Sequence, residues 1–148
     1  MNIDVKELIQ EVRKGNRIVG HKLEELERLR SLCHVTGVNL EGERVSGSHN
    51  NSRVEQSYLR YIAFKDDLKI YIANAMNSRD QLMALIDTLD NQQAIDIMYK
   101  YCLFNMPMLQ IADIMGYTKQ NVYKIYKNAI KTMQERVDNS WLNFTQID

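Results

Sequence analysis

Proline occurs once, at Pro107, and glycine only six times in 148 residues. With so little punctuation, the many short strands of a sandwich or barrel have nowhere to end, and long helices are the expected default. The two cysteines, Cys33 and Cys102, lie far apart and neither belongs to a CxxC pair, so a reduced chain without structural disulfides is expected. His21, His34 and His49 are scattered, and Cys33-His34 has no further ligands at zinc spacing. No Walker or dinucleotide glycine motif is present. Asp66-Asp67 reads as a solvated helix face rather than a metal pair. Neither catalysis, a cofactor nor a metal is therefore expected. No run approaches the roughly 18 apolar residues of a membrane span, and a signal-peptide pattern is missing. The expected setting is the cytoplasm, with no membrane partner.

A net excess of either charge is also missing. Lys+Arg number 19 against Asp+Glu 19, and the balance holds locally: 13 against 13 over residues 1–89, and 6 against 6 over 90–148. A globally basic coat for nucleic acid is excluded, so any affinity for phosphate must arise from local placement.

What the chain does have is helical periodicity. Val5, Leu8, Ile9 and Val12 share one face of a short helix that Asp4 can cap. Gly15-Asn16 is expected to interrupt it before a second helix over about 17–35, striped by Val19, Leu23, Leu26 and Cys33 and widened by Leu29 and Leu32. Residues 37–52, GVNLEGERVSGSHNNS, hold three of the six glycines and read as a flexible loop, from which Arg44, His49 and Arg53 could reach a ligand. Next, Val54, Tyr58, Tyr61, Lys65, Leu68, Ile72, Ala75, Arg79, Leu82, Ile86 and Leu89 alternate four and three apart. Nine of these eleven positions are apolar, which is a heptad seam. A continuous helix of that length reaches about 50 Å and cannot bury its seam alone. The 17–35 helix can cover part of it. The remainder requires a second copy, giving a homodimer, or the C-terminal residues. Asn77-Ser78 with Gln81 resembles a capping box where the helix could break, but the unbroken seam favours continuity.

The segment with chemical character begins at residue 90. Asp90 and Gln93 form a plausible cap and capping pair for a helix through about Cys102. Ala94, Ile97, Met98 and Tyr101 mark its buried face, and Pro107 suits the first turn of the next helix. Within residues 108–126, small Ala112 permits a close helix crossing. Gly116 supplies a left-handed turn, and Val122 and Ile125 return to the core beside Ile111 and Met115. Thr118 can cap the following helix. This is helix-turn-helix spacing, in which the second helix enters the major groove of double-stranded DNA. That second helix, expected over 119–134, carries Lys119, Lys124, Lys127 and Lys131 with no acid among them, interleaved with Gln120, Asn121 and Tyr123. Such side chains reach phosphates and base edges.

Through Gln110-Ile111-Ala112, Gly116-Tyr117-Thr118, Val122 and Ala129, the stretch 89–133 resembles region 4 of sigma-70-type factors. The larger layout, a helix pair, a Gly/Ser-rich loop, a long helix and then the helix-turn-helix, resembles the phage late-transcription regulators of the ArpU/RinA type over about residues 17–135. The resemblance implies an all-α fold, with an N-terminal helical hairpin and long helix followed by a sigma region 4-like helix-turn-helix. It further implies a phage or prophage activator of late genes, acting in a bacterial host cell with host RNA polymerase as a further partner. On the helix-turn-helix pattern, Lys119, Gln120, Tyr123 and Lys124 face outward, Lys127 lies toward the DNA backbone, and Asn121 lies nearer the core.

The corresponding division is an oligomerisation region over 1–89, a DNA-binding domain over 90–136 and a tail over 137–148. In the tail, Trp141, Leu142, Phe144 and Ile147 either pack back on the helices or dock on a second subunit or polymerase. A reading of another class stays open: an oligomeric helical adaptor or a DNA-packaging protein like a small terminase subunit, in which the 54–89 seam drives assembly.

Overall fold

The computed structural model describes residues 3–35 and 51–145, and every regular element among them is a helix. The fold is all-α. Its elements are α1 (Val5–Val35), α2 (Asn51–Ile86), α3 (Gln92–Met98) running into a π turn (Tyr99–Leu103), α4 (Met108–Met115) and α5 (Lys119–Thr145). None of the helices among the described residues is long and apolar enough to cross a membrane.

Helix α1 starts where Asp4 predicts. The Asp4 carboxylate accepts from the Lys6 and Glu7 backbone N–H groups at 2.9 and 3.4 Å, satisfying two donors that a helix start leaves open. The break expected at Gly15-Asn16 does not occur, and α1 runs unbroken for 31 residues. Glycine costs a helix interior about 1 kcal/mol, and tertiary contacts outweigh that here. A Cβ at Gly15 would lie 3.8 Å from the Ala75 Cβ, so small residues let α1 and α2 approach closely. The Asn16 side chain is employed elsewhere. Its amide donates to the Cys102 and Leu103 carbonyls at 3.2 and 3.1 Å and to the Asn105 side-chain oxygen at 3.0 Å.

Helix α2 is continuous over 36 residues and passes through Asn77-Ser78 without interruption. Ser78 donates its hydroxyl across to Glu11 at 3.1 Å instead of capping a new helix. The helix already begins at Asn51, inside the segment expected to be a loop; residues 37–50 of that segment, with Arg44 and His49, lie outside the described residues.

The chain divides into two compact units, and the division does not fall at residue 89. One unit is Arg17–Asn74. Its core gathers Leu29 and Cys33 of α1 against Tyr61 of α2, with Leu26, Val54, Tyr58 and Phe64 around them. The Lys65 ammonium, polar in the heptad seam, stands 5.9 Å from the Tyr61 ring centroid.

The other unit comprises the chain up to Asn16 and from Ala75 onward. Val5, Leu8, Ile9 and Val12 meet Leu82, Ile86, Leu89, Ala94, Met98, Cys102, Ala129 and Met133 in one cluster. Each fully buried aliphatic side chain contributes about 1.5–3 kcal/mol. The start of α1 and the end of α2 are therefore core pieces of the C-terminal unit, not of a separate N-terminal domain. Gln134 of α5 reinforces this, accepting from the Val5 N–H at 2.9 Å and donating to the Ile3 carbonyl at 3.0 Å.

The heptad seam is thus occupied by the chain itself. Tyr61, Leu68, Leu82 and Ile86 are each under 9% exposed in the single chain. The seam gives no argument for a homodimer. Helix α5 continues to Thr145, so the expected start of a tail at 137 falls inside a helix, with Val137 packed on the core. The side chains of Trp141, Leu142 and Phe144, and Ile147 altogether, lie outside the described residues.

Replacing Asn16 with Ala leaves the Cys102 carbonyl without its side-chain donor, while Leu103 keeps Arg79, and the expected loss is about 1–3 kcal/mol of unfolding free energy, read by urea denaturation. A variant as stable as the parent would show that water replaces the amide at no cost. A second expectation concerns alkali. Burial pushes the Cys102 thiol from its ordinary 9.0 up to about 12, and burial likewise raises the Tyr126 hydroxyl above its ordinary 10.0. The folded chain keeps these protons at pH values where the unfolded chain has lost them. Stability is therefore intact below about pH 9 and falls with rising pH, by up to about 1.4 kcal/mol per unit for Cys102 and by less for the partly exposed Tyr126. Cys102→Ala should flatten the stability curve between about pH 9 and 10, measured as a slope against the parent.

Candidate functional site

Helix α3 opens at Asn91, one residue later than the expected cap Asp90, and the Asn91 side chain accepts from the Gln93 N–H at 3.0 Å. The Gln93 side chain does not return to the cap; its amide donates to the Tyr117 hydroxyl. The chain then widens into the π turn, where the Phe104 N–H reaches back to the Tyr99 carbonyl at 3.1 Å. Its last carbonyls are taken by side chains. Arg13 donates to Tyr101 at 3.2 Å, Asn16 to Cys102 and Leu103, and Arg79 to Leu103 at 3.0 Å. Asn105, held at φ +52°, donates in return to the Arg13 carbonyl at 3.0 Å.

Beyond this anchored turn, Pro107 precedes α4, where its missing N–H leaves no gap. Helix α4 ends at Gly116, at φ +71° in the left-handed region. The Tyr117 N–H bonds to the Ala112 carbonyl at 3.0 Å, the six-to-one bond of a Schellman ending. Three residues, 116–118, separate α4 from α5. Thr118 performs the capping expected of it: its hydroxyl accepts from the Asn121 N–H at 3.1 Å. Ile111, Ala112 and Val122 are buried together with Ile97 of α3, and Met115, Tyr117 and Ile125 pack around them. One face of α5 is thereby fixed inward, against both α3 and α4.

The opposite face is open. Thr118, Lys119, Gln120, Asn121, Tyr123, Lys124, Lys127 and Lys131 are all exposed. Gln120, Lys124, Lys127 and Lys131 follow at spacings of four, three and four, which aligns them along one stripe of the helix. Asn121 does not lie toward the core; it sits on the exposed flank, and Thr118 acts through its cap. Asn128, not singled out by sequence, is also exposed. Its place four residues after Lys124 and three before Lys131 is the signal that marks it.

From Ile114 to Gln134 the chain holds no acidic residue. Among the described residues none of the four lysines has an ion-pair partner, whereas Arg136 further along α5 pairs with Asp90 at 3.0 Å. The Lys127 ammonium stands 4.7 Å from the Tyr123 ring centroid. Behind it the Tyr123 ring lies 6.2 Å from Tyr126, whose ring meets Tyr101 edge-on at 4.9 Å. The arrangement offers positive charge, amide donors and acceptors, and one aromatic ring on a single convex stripe. No group of three or more metal-ligating side chains occurs among the described residues.

A Cβ at Gly116 would meet nothing within 4 Å, so Gly116→Ala isolates the backbone cost of the left-handed turn. The expected loss is about 1–2 kcal/mol in chemical denaturation, and an unchanged midpoint would contradict a turn of this hand.

No curated protein and no solved structure matches the chain. One family model does match, over residues 34–134, and its description is "Protein of unknown function (DUF1492)". That span takes in all of α2 and α3, the π turn, α4 and the exposed stripe of α5, but only the last two residues of α1; with more than half of the chain matched, this protein belongs to the DUF1492 family.

Proposed function

We propose that this protein is a sequence-specific DNA-binding transcription regulator that presents α5 to the major groove of double-stranded DNA. The observation that carries the reading is the exposed side of α5: four lysines, three of them aligned with Gln120 along one stripe, without acidic partners among the described residues, in a chain of zero net charge and on a helix whose other face packs against α3 and α4. A neutral protein gains nothing in solubility from collecting its C-terminal lysines on one surface, whereas a polyanion rewards that placement.

In this reading the lysines set register on phosphates, Gln120 suits an adenine, and Lys119 or Lys124 suits a guanine. The likeness to the ArpU/RinA type extends the proposal to phage or prophage late-gene activation with host RNA polymerase as partner. Two copies reading half-sites about 10 bp apart, or a multiple of it, belong to the same proposal. With the heptad seam occupied, their contact would use other surfaces, and Leu59 and Ile70, each 64% exposed on α2, are apolar groups available for it. Those same side chains are what an oligomeric adaptor or packaging protein would use, so the mass of the assembly in solution separates the readings: a dimer supports the regulator and a ring of many subunits supports packaging.

The decisive experiment is selection of bound fragments from a random duplex pool. An enriched motif is expected, and an unenriched pool would defeat the proposal. If two or three lysines per subunit touch phosphate, log affinity of the dimer should fall with log salt at a slope of roughly −4 to −5. Lys127→Ala, and Lys124→Ala if Lys124 touches phosphate rather than a guanine, should weaken every sequence alike, while Gln120→Ala should relax preference at one base pair by about 1–3 kcal/mol, measured on matched and mismatched duplexes.

A further inference from the structure

Tyr123 is the anomaly on the stripe. The groups around it are amides and ammonium ions, yet it presents a large ring that is 47% exposed. A mobile tyrosine at that position would be an ordinary surface residue. This one is braced: Tyr126 backs it at 6.2 Å with the ring planes 35° apart, and Lys127 stands over its face at 4.7 Å. Tyr126 is itself held, since it packs on both core clusters of the C-terminal unit and meets Tyr101 edge-on. The ring is therefore supported by neighbours on its own helix before any partner arrives, which lowers the side-chain freedom to be lost on contact.

The choice of ligand is set by the groups a duplex displays. Bases stacked in a double helix show only their edges, and in the major groove those edges carry hydrogen-bonding groups at every pair. The single apolar group among them is the C5-methyl of thymine. Gln120 lies three residues before Tyr123, one turn away on the same side of α5, where an amide suits adenine. An amide and a ring side by side on one helix match neighbouring A·T pairs, one read through its adenine and the other through its methyl.

We infer that Tyr123 is a specificity-determining residue that reads a thymine methyl group in the major groove, which makes A·T pairs the preferred centre of each half-site. This inference rests on the DNA-binding reading and names the base class that the same surface takes.

The test uses the full chain and the best duplex recovered from the random pool, in which each thymine of the motif is replaced in turn by deoxyuridine. That change removes the methyl group and leaves the pairing edge intact. Loss of one buried methyl predicts about four-fold weaker binding at one position. The effect should vanish in Tyr123→Ala, which binds the thymine and uracil duplexes equally, and persist in Tyr123→Phe, which keeps the ring without its hydroxyl. Comparing the two duplexes within each variant cancels any change in stability or in DNA flexibility. A parent protein that binds the motif but ignores every uracil overturns this inference alone. Uracil sensitivity that survives in Tyr123→Ala assigns the methyl to another residue and overturns it as well. Finding no motif defeats the DNA-binding reading and this inference together.

Discussion

The C-terminal unit depends on how the end of the π turn is satisfied. A helix that ends inside a protein leaves carbonyl oxygens that would each cost free energy if buried alone. Here those of Tyr101, Cys102 and Leu103 are taken by Arg13, Asn16 and Arg79. Two donors come from α1 and one from α2. The Arg13 guanidinium also lies 3.9 Å from the Tyr101 ring centroid, and Asn105 closes the circuit on the Arg13 carbonyl. Side-chain donors from both long helices thus fix where the π turn stops, and α4 and α5 are placed from that point. The apolar cluster supplies most of the free energy, but hydrophobic burial is non-directional and does not by itself set this register.

This network also explains why the chain divides where it does. Composition and periodicity see α1 and α2 as one antiparallel pair separate from the C-terminal helices, and nothing local in Arg13, Asn16 or Arg79 announces contacts more than sixty residues away for α1. Gly15-Asn16 reads as a break because both residues are poor helix formers. Asn16 is instead retained as a donor, and its helix cost is offset by three acceptors. Arg79 reads as a tolerated charge in a heptad seam for the same reason: its partners lie outside the helix. Residues whose role is long-range and polar are opaque to a pattern built on local apolar spacing.

Local chemistry is legible where a single residue type answers a single backbone demand. Asp4 caps α1, Gly116 takes the left-handed ending and Thr118 caps α5, each as its position predicts. The heptad seam is legible as a buried face, from Tyr61 through Ile86, but not as to what covers it. Periodicity reports that a stripe needs a partner and is silent on whether that partner belongs to the same chain. The exposed residues of α5 are visible for a related reason: with Val122, Ala129 and Met133 fixed inward, the 3.6-residue repeat leaves few options for the rest. Asn121 departs from expectation because it lies near the edge of that arc, where a one-residue error in phase changes the face.

Charge distribution gives the stripe its meaning. Acidic and basic residues balance over the whole chain and over each part, yet the segment from Ile114 to Gln134 contains lysines and no acids. Elsewhere on the same unit a long basic side chain is given a partner, as Arg136 is by Asp90. An unpaired ammonium on a helix surface is stable in water but repels its neighbours weakly, and two more along one stripe add to that repulsion. Such a cost is small at each site and is screened by salt, and an anionic surface laid along the helix would turn it into attraction. The geometry sets the dimensions that the proposed partner would need. It must follow a straight line of side chains spaced one turn apart, and it must accept an aromatic ring among charged and amide groups. The proposed duplex groove, bordered by phosphates and with polar edges and occasional methyl groups on its floor, would meet these conditions.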